Sequence, residues 1–583
     1  MKFTLIAQYH PAAALHQPRL WAVMLDDWQH LPQKVDASYT VVDNLDGIGD
    51  YYALDTENNP DGSLGQWSIA YRKPSGELVV CPFYGRKELG LGTSRGICIM
   101  HNAKWDVRVL EKAGIPIPLN IADSMIMGYC LGYGFQDVKD SSVKKSGGMM
   151  VGGLGLKYLA RRHLGMDMKE WKEVYNKPED VPEYNAQDSV ATLLLFEKWK
   201  PQLPDFFWNI DMPLLRVLMA MEDRGVQVDP NFLRKYAESL DKQLGEFDMP
   251  LNAYATEQIR SYVYGTLQIE PWKFTATGAP SVDASVLESI DDPVVKMVLD
   301  YKGLAQEKST YTDNYLAQLG ADGRIHCEFK QVRTATGRLS SANPNLQNVV
   351  KDSDMRHLFI ASEGKVLVRM DFSQLELRVF AALTQDEAML KAFAEGKNIH
   401  QETANLIGLP YDDAKVTNFL MLYAGGAWKI SQEFHKPIDQ AKALIKAYYK
   451  AYPGIQKYHE QQITLAHEEK KVSTYFGRVR RLDAMYTNDW RIRAEGEREA
   501  INTPIQGTAA EIVKIVMNDL HYRHHAPMIL QVHDELLFEV EKKQAKKYAK
   551  WLEEYIPTLV EINGVRFPVE VGVGRTWKEA SEK

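Results

Sequence analysis

The sequence predicts an α/β domain followed by a larger, mostly helical α+β part. Three observations carry that division. At 583 residues the chain is too long for one hydrophobic core. YYALDTE and ELVVCPF are short apolar, aromatic-rich runs suited to strands, and they precede a Gly-, Ser- and Lys-rich stretch, DVKDSSVKKSGGMMVGGLG, that reads as a loop. After it, GLKYLARRHLG and VATLLLFEKW have helical spacing, the pattern breaks around Pro201 and Pro204, and MPLLRVLMAMEDRG opens a long helical part. The boundary is placed near residue 205, giving domains of 1–205 and 206–583.

Composition narrows the function classes. The four cysteines, Cys81, Cys98, Cys130 and Cys327, are too scattered for a zinc site or a disulfide framework, so a cytoplasmic, reducing setting is expected. No apolar run reaches the ~18 residues needed to cross a bilayer, and the N-terminal segment lacks a signal-peptide core. The net charge of −8 argues mildly against nucleic-acid binding. A local basic groove remains open, because KKVSTYFGRVRRL gathers Lys470, Lys471, Arg478, Arg480 and Arg481 around a Gly turn.

The first chemical constellation is DTE. Asp55 and Glu57 lie two apart on a strand and so share a face, where they can share a hard cation. HNAKWD adds Asn102 and Asp106, and EYNAQDS adds Tyr184 and Asp188, each pair four apart on a helix. An Asn near a helix start is ordinarily a cap. These segments, in this order, resemble the three motifs of DnaQ-like 3′→5′ exonucleases over roughly residues 40–200. The resemblance implies a ribonuclease H-like mixed sheet. It also implies two Mg²⁺ ions, with Mn²⁺ as a substitute, held by Asp55, Glu57, Asp106 and Asp188, with Tyr184 orienting the attacking water and Asn102 on the substrate strand.

The second constellation is VLVRMDFSQLELRVFA, a β-prone run ending at Asp371 with Glu376 and Arg378 beyond it. QVHDELLFEV supplies another strand-like segment, with His533, Asp534 and Glu535 at a tight turn. Two carboxylates from separate strands can bridge two ions, which leaves nuclease and polymerase equally open. AKVTNFLMLYAGG places Lys415, Phe419 and Tyr423 on one helical stripe, where a cation and ring faces suit a nucleotide.

Together DFSQLELR, KVTNFLMLYAGG and VHDE resemble motifs A, B and C of the family A DNA polymerases. TATGRLSSANPNLQNV, EGEREAINTPIQGTAAEIVK and MPLLRVLMAMEDRGVQVD extend the likeness from about residue 206 to the C-terminus. The resemblance implies a right hand: a thumb over about 206–330, a palm over about 331–390 and 494–583, and fingers over about 391–493. It implies that Asp371 and Asp534 hold two further Mg²⁺ ions with the Phe372 carbonyl, that Glu535 is auxiliary, and that Lys415 meets the triphosphate with His400 and Arg378 in support. Glu376 would be the steric gate against ribose, with Phe419 beside it and Tyr423 near the template base. Arg338, Arg498, Asn502, Gln506 and His533 would touch primer and template.

The motif departs from the family at Tyr411, where an Arg is usual one turn before the Lys; Lys429 is a candidate replacement. The expected partners are primer-template DNA, dNTPs and helicase or other replisome proteins, acting with a monomer. The modest length, with no room for a 5′-nuclease, leads to an expected bacteriophage replicase, in the host cytoplasm, with repair or gap filling as the alternative. A single-subunit RNA polymerase and a noncatalytic scaffold are the rivals from other classes. Glu376 opposes the first and the intact set of acids opposes the second.

Overall fold

In a computed structural model, residues 34–85, 96–133, 152–275, 277–350 and 353–582 are described. Most of the Gly-, Ser- and Lys-rich stretch read as a loop, and the N-terminal segment read for a signal peptide, lie outside them. Strands β1 (Thr40–Val41), β2 (Tyr51–Asn58), β3 (Leu64–Arg72), β4 (Leu78–Tyr84), β5 (Ile97–Met100) and β6 (Asn120–Asp123) form one sheet in the order β1-β4-β3-β2-β5-β6. β2, β5 and β6 run parallel while β3 is antiparallel to both β2 and β4, so the sheet is mixed. Its helices are α1 (Ala103–Ala113), α2 (Ser124–Cys130), α3 (Leu156–Leu164) and α4 (Val181–Trp199). α4 crosses β2 and β3 and is buried along most of its length, which is why its sequence is apolar almost all round.

A short π-helix, Phe207–Asp211, leads into α5 (Met212–Arg224), followed by α6 (Pro230–Gly245) and α7 (Pro293–Glu307). Part of this region has its own small core of Ala253, Ile259, Val263, Leu287, Val295 and Val298. Beyond it, β7 (Lys365–Phe372) is central to a second, antiparallel sheet completed by β8 (Met528–Val532), β9 (Glu535–Glu541) and β10 (Val569–Gly574), in the order β8-β9-β7-β10. Helices α8 (Leu375–Thr384), α9 (Ile399–Ile407), α10 (Tyr411–Leu422), α11 (Ile438–Ala451), α12 (Pro453–Glu469) and α13 (Trp490–His524) lie between β7 and β8 in sequence, so this sheet is split around a helical insertion. Among the described residues no helix is long and apolar enough to cross a membrane.

The two halves meet at a buried cluster of four charges. Arg478 pairs with Asp211 at 2.6 Å and with Glu511 of α13 at 3.0 Å, and Lys514 reaches the other Asp211 oxygen at 2.9 Å. The Cys130 thiol of α2 donates to Asp211 at 3.3 Å, and the Arg478 guanidinium lies 4.5 Å from the Phe206 ring. Gly337 passes so close that an added Cβ would sit 3.0 Å from Arg478 Nε, at a φ of 85° that already favours glycine. Two members of the basic run, Arg478 and Arg480, are therefore committed within the fold. Arg478 is buried, and Arg480 pairs with Glu499 at 2.8 Å and donates to the Thr503 hydroxyl at 2.9 Å.

Burial by itself would raise the Asp211 carboxyl, but Arg478 and Lys514 hold it well below its ordinary value of 3.8. A carboxyl lowered by folding stabilises the native state above that ordinary value, and the contribution is lost as pH falls below it. Asp211→Asn should thus cost about 3–5 kcal/mol at pH 7 by leaving the cations uncompensated. The deficit should shrink in acid, and urea unfolding of both proteins at pH 7 and pH 3 measures it; equal stability at pH 7 would contradict the reading.

Candidate active sites

β2 places Asp55 and Glu57 on one face, and α4 brings Asp188 against them. Asp55, Glu57 and Asp188 can each offer an oxygen within 4.8 Å of the others, a spacing suited to a divalent cation. Asp106, on α1, stands behind them. Its Oδ1 accepts from the Thr56 backbone N–H at 3.0 Å and the Thr56 hydroxyl at 2.7 Å, which ties α1 to β2 between the other two acids. Burial, then the charges of Asp188, Asp106 and Glu57, push the Asp55 carboxyl well up; burial and Asp188 do the same to Glu57. Buried carboxylates that repel one another fit a site for cations.

Three neighbours of this cluster escaped sequence reading. Lys157 of α3 pairs with Asp188, with its Nζ 4.1 Å from the centre of the Tyr184 ring. Asn185 donates to Asp55 Oδ2 at 2.7 Å. Asp123 accepts from the backbone N–H groups of Asn102 (3.1 Å) and Ala103 (2.8 Å), as well as capping its own helix α2. An Asp just ahead of a helical run is a legible cap signal, whereas Lys157 follows the Gly-rich stretch and carries none. Asn102 stands at the N-cap of α1 with φ 63°, but its side chain makes no capping bond, contrary to the ordinary reading of such an Asn. Tyr184 is raised far above the usual phenol range by burial and then by Asp188, so its hydroxyl stays protonated.

In the second sheet, Asp371, the penultimate residue of β7, lies directly across from Glu535 on β9. A two-residue turn, His533 and Asp534, joins β8 to β9, with His533 at φ 55°. The Phe372 N–H donates to the Asp534 carbonyl at 3.2 Å, which sets the two acidic strand ends side by side. Glu535 does not share their situation. It is buried, paired with Arg369 at 2.6 Å and Arg356 at 3.3 Å, and bonded by the Trp577 indole, so here it anchors the sheet. Arg369, two residues before Asp371 on the same strand face, pairs with both acids; the period-2 rule would have revealed it.

A cleft of about 330 Å³ opens beside these strand ends and is lined by Arg338, Glu376, Phe419, His533 and Asp534. Glu376, in the first turn of α8, is held by Arg338 and by the Tyr423 hydroxyl. Asn502 of α13 donates to the Tyr423 carbonyl at 3.5 Å, and Gln506, one turn on, hydrogen-bonds the Tyr423 side chain. Arg498 is exposed one turn before Asn502. On α10, Tyr411 and Lys415 are exposed and Phe419 half-buried along one stripe; Lys429 is exposed on the next helix. Tyr411 accepts from the Asn398 amide at 3.2 Å.

Two expected supports stand otherwise. His400 is buried against Asn418 at 3.0 Å, and burial, then Lys415, bring it down to about 4, so it offers no positive charge at neutral pH. The Arg378 guanidinium is turned into the fold, donating to the Ser373 carbonyl at 3.0 Å and stacking 4.5 Å from Phe393.

Residues 229–579 match DNA polymerase family A, and residues 50–204 match a 3'-5' exonuclease. The chain belongs to the family A DNA polymerases. It is 32% identical to DNA polymerase I of Pseudomonas aeruginosa over 523 residues, 82% of this chain and 56% of that one. With the thermostable DNA polymerase I of Thermus aquaticus it shares 35% over 402 residues, 64% of this chain and 48% of that one. This family A chain thus spans about half the length of the curated relatives it matches. A solved structure, the POL domain of Pol1 from M. smegmatis in complex with DNA primer-template and dNTP, superposes with a TM-score of 0.79 at 24% identity, over 92% of this chain and 97% of that one. The expected fold, an α/β exonuclease domain followed by an α+β polymerase domain, is borne out. The relatives are bacterial, and the expectation of a bacteriophage source gains no support from them.

Because folding raises the Glu57 carboxyl above its ordinary value, its contribution is favourable in acid and lost as pH rises through the raised value. Metal-free Glu57→Gln should therefore melt higher than metal-free wild type at alkaline pH. In the wild type, Mn²⁺ should raise the melting temperature, by about 2.7 kcal/mol of stability at a hundredfold excess over Kd. Scanning calorimetry of both proteins with EDTA and with Mn²⁺ checks this, and an equal metal-induced shift in the variant would count against the site.

Proposed function

We propose that this chain extends a DNA primer on a DNA template from dNTPs and removes mispaired 3′ ends with a separate 3′→5′ exonuclease site. The observation that carries the reading is the approach of two acidic chain segments, at Asp371 and Asp534, beside a cleft lined by Arg338 and by Glu376, which Arg338 and Tyr423 hold. The carboxylate cluster of Asp55, Glu57 and Asp188 is a second, independent site in the same chain.

In this reading residues of about 206–330 act as a thumb, about 331–390 and 494–583 as the palm, and about 391–493 as fingers, with 1–205 as the exonuclease domain. Asp371, Asp534 and the Phe372 carbonyl would hold two Mg²⁺ ions, and Asp55, Glu57, Asp106 and Asp188 two more, with Mn²⁺ as a substitute. What the cations supply when bound is activation of the attacking oxygen and neutralisation of the leaving one. The side chains do the rest. Glu376, pinned by Tyr423 and Arg338, presents bulk and no spare donor where a ribose 2′-hydroxyl would lie, with Phe419 alongside. The exposed Lys415 meets the triphosphate, and with Tyr411 at the position of the usual Arg the exposed Lys429 is the candidate cation in its place. Arg338, His533, Arg498, Asn502 and Gln506 contact primer and template. At the other site Tyr184, kept protonated, orients the attacking water, and Asn102 touches the strand being shortened.

Primer-template DNA and dNTPs are the partners this implies for a monomer, with helicase or other replisome proteins beyond them in the cytoplasm. The finer role, replication of a bacteriophage genome, rests on the joining of a proofreading site to the polymerase. Likeness to bacterial DNA polymerase I favours gap filling as the second reading. Synthesis through long single-stranded template against closure of short gaps separates the two.

A labelled primer on a DNA template with Mg²⁺, with and without dNTPs, tests the whole assignment. Asp55→Ala should lose shortening by about 10³-fold while still extending, and Asp534→Ala should do the reverse. Unchanged activity in either variant rejects that site. Glu376→Ala should raise ribonucleotide incorporation relative to deoxynucleotide by at least about tenfold, measured as the ratio of kcat/KM values; a constant ratio removes Glu376 as the gate.

A further inference from the structure

The segment that leads into Arg338 passes first along the exonuclease domain. There a cavity of about 140 Å³ lies between the two domains, with Asn102, Met125 and Ile126 on one side and Leu215, Val332 and Arg333 on the other. Parallel pairing of β2 with β5 (Ala53 opposite Ile99) and of β5 with β6 (Met100 opposite Asp123) brings Asp55, Asn102 and Asp123 to one edge of the sheet. The cavity therefore opens on the same edge as the carboxylate cluster.

Its charges are not equally committed. Asp123 is saturated by backbone N–H groups, Lys104 is held by Glu222 and the Phe329 carbonyl, and Lys330 pairs with Glu328. Arg333 is exposed and has no hydrogen bond or ion pair among the described residues, and the Asn102 side chain has none either. An uncommitted guanidinium and amide facing an apolar wall suit a phosphodiester with its sugar and base laid against the wall. The segment carrying Arg333 is fixed at both ends. Gln331 donates to the Asp211 carbonyl at 2.9 Å, and the Tyr129 hydroxyl donates to the Thr334 carbonyl at 3.0 Å. Five residues on, Arg338 lines the polymerase cleft, and five residues reach at most about 18 Å.

We propose that Arg333, supplied by the polymerase domain, binds the backbone of the single-stranded 3′ segment as it passes from the polymerase cleft to the exonuclease cluster, so that the polymerase domain completes the exonuclease's substrate site. This rests on the exonuclease reading above. Arg333 is a binding residue and touches no reacting atom, so its loss acts on KM and leaves kcat alone.

The test uses the full chain with wild type, Arg333→Ala and Arg333→Lys. Excision of a single-stranded oligonucleotide is measured across a salt series, matched-primer extension beside it, and binding of a fluorescein-labelled oligothymidylate in EDTA by anisotropy. Arg333→Ala should raise KM for excision and weaken oligothymidylate binding about tenfold, with kcat and matched extension unchanged. The slope of log affinity against log salt should fall by about 0.7, the share of one phosphate on a single strand. Arg333→Lys should recover part of the affinity. Unchanged KM, binding and salt slope in Arg333→Ala overturn the proposal while wild type still excises. Absence of shortening by wild type removes the exonuclease reading itself.

Discussion

Four buried charges hold this molecule together where its two halves meet. Asp211 and Glu511 face Arg478 and Lys514 out of reach of water. Each charge is costly there alone and tolerable only in the presence of the others, because the Coulomb attraction and hydrogen bonds must offset desolvation. The four residues come from separate stretches of chain: the π-helix after the exonuclease domain, the long helix α13, and the loop carrying Arg478. Cys130 and Tyr129 of α2 and the Gly337 backbone close around them. The positions of the exonuclease sheet, the segment 331–338 and α13 are thereby set together. Those are the elements that line both candidate sites and the cavity between them.

The two sites solve the problem of gathered negative charge in different ways. In the exonuclease domain the acids crowd one another, and burial with mutual repulsion drives Asp55 and Glu57 toward the protonated form. Lys157, paired with Asp188, opposes that rise at all three acids without cancelling it. At the polymerase strand ends the fold brings its own cations. Arg369 and Arg356 lock Glu535 into the sheet, and Arg369 also reaches Asp371. The first arrangement is a cluster of mutually repelling carboxylates suited to a cation, and the second is a rigid platform on which two half-buried acids stand beside a cleft. A gate made of Glu376, Tyr423 and Arg338 is equally a product of rigidity, since each member is positioned by another element.

Much of the sequence was legible because local periodicity carried it. Two-residue alternation put Asp55 and Glu57 on one face, and four-residue spacing aligned Lys415 and Phe419 on α10, with Tyr423 at its C-cap. The turn at His533 and Asp534 followed from a short polar pair between apolar runs. Readings that needed a partner from elsewhere fared less well. Glu535 was read as an auxiliary acid, and nothing in its sequence announced the two arginines and the indole that surround it. Arg478 looked like part of a basic groove, and His400 like a charged helper, until burial assigned the first to the central cluster and neutralised the second.

Sequence alone determined the class of each element, the order of the motifs, and which acids stand at strand ends and helix faces, since these follow from residues a few positions apart. Tertiary structure decided which of those groups are committed to one another. Lys157 and Arg333 carry no local mark that distinguishes them from solvated surface charges. The situation of Lys157 depends on Asp188, 31 residues on, and that of Arg333 on a cavity wall contributed by Asn102 and Ile126. The energy of a charge depends on what surrounds it in space, and a linear spacing does not encode that environment.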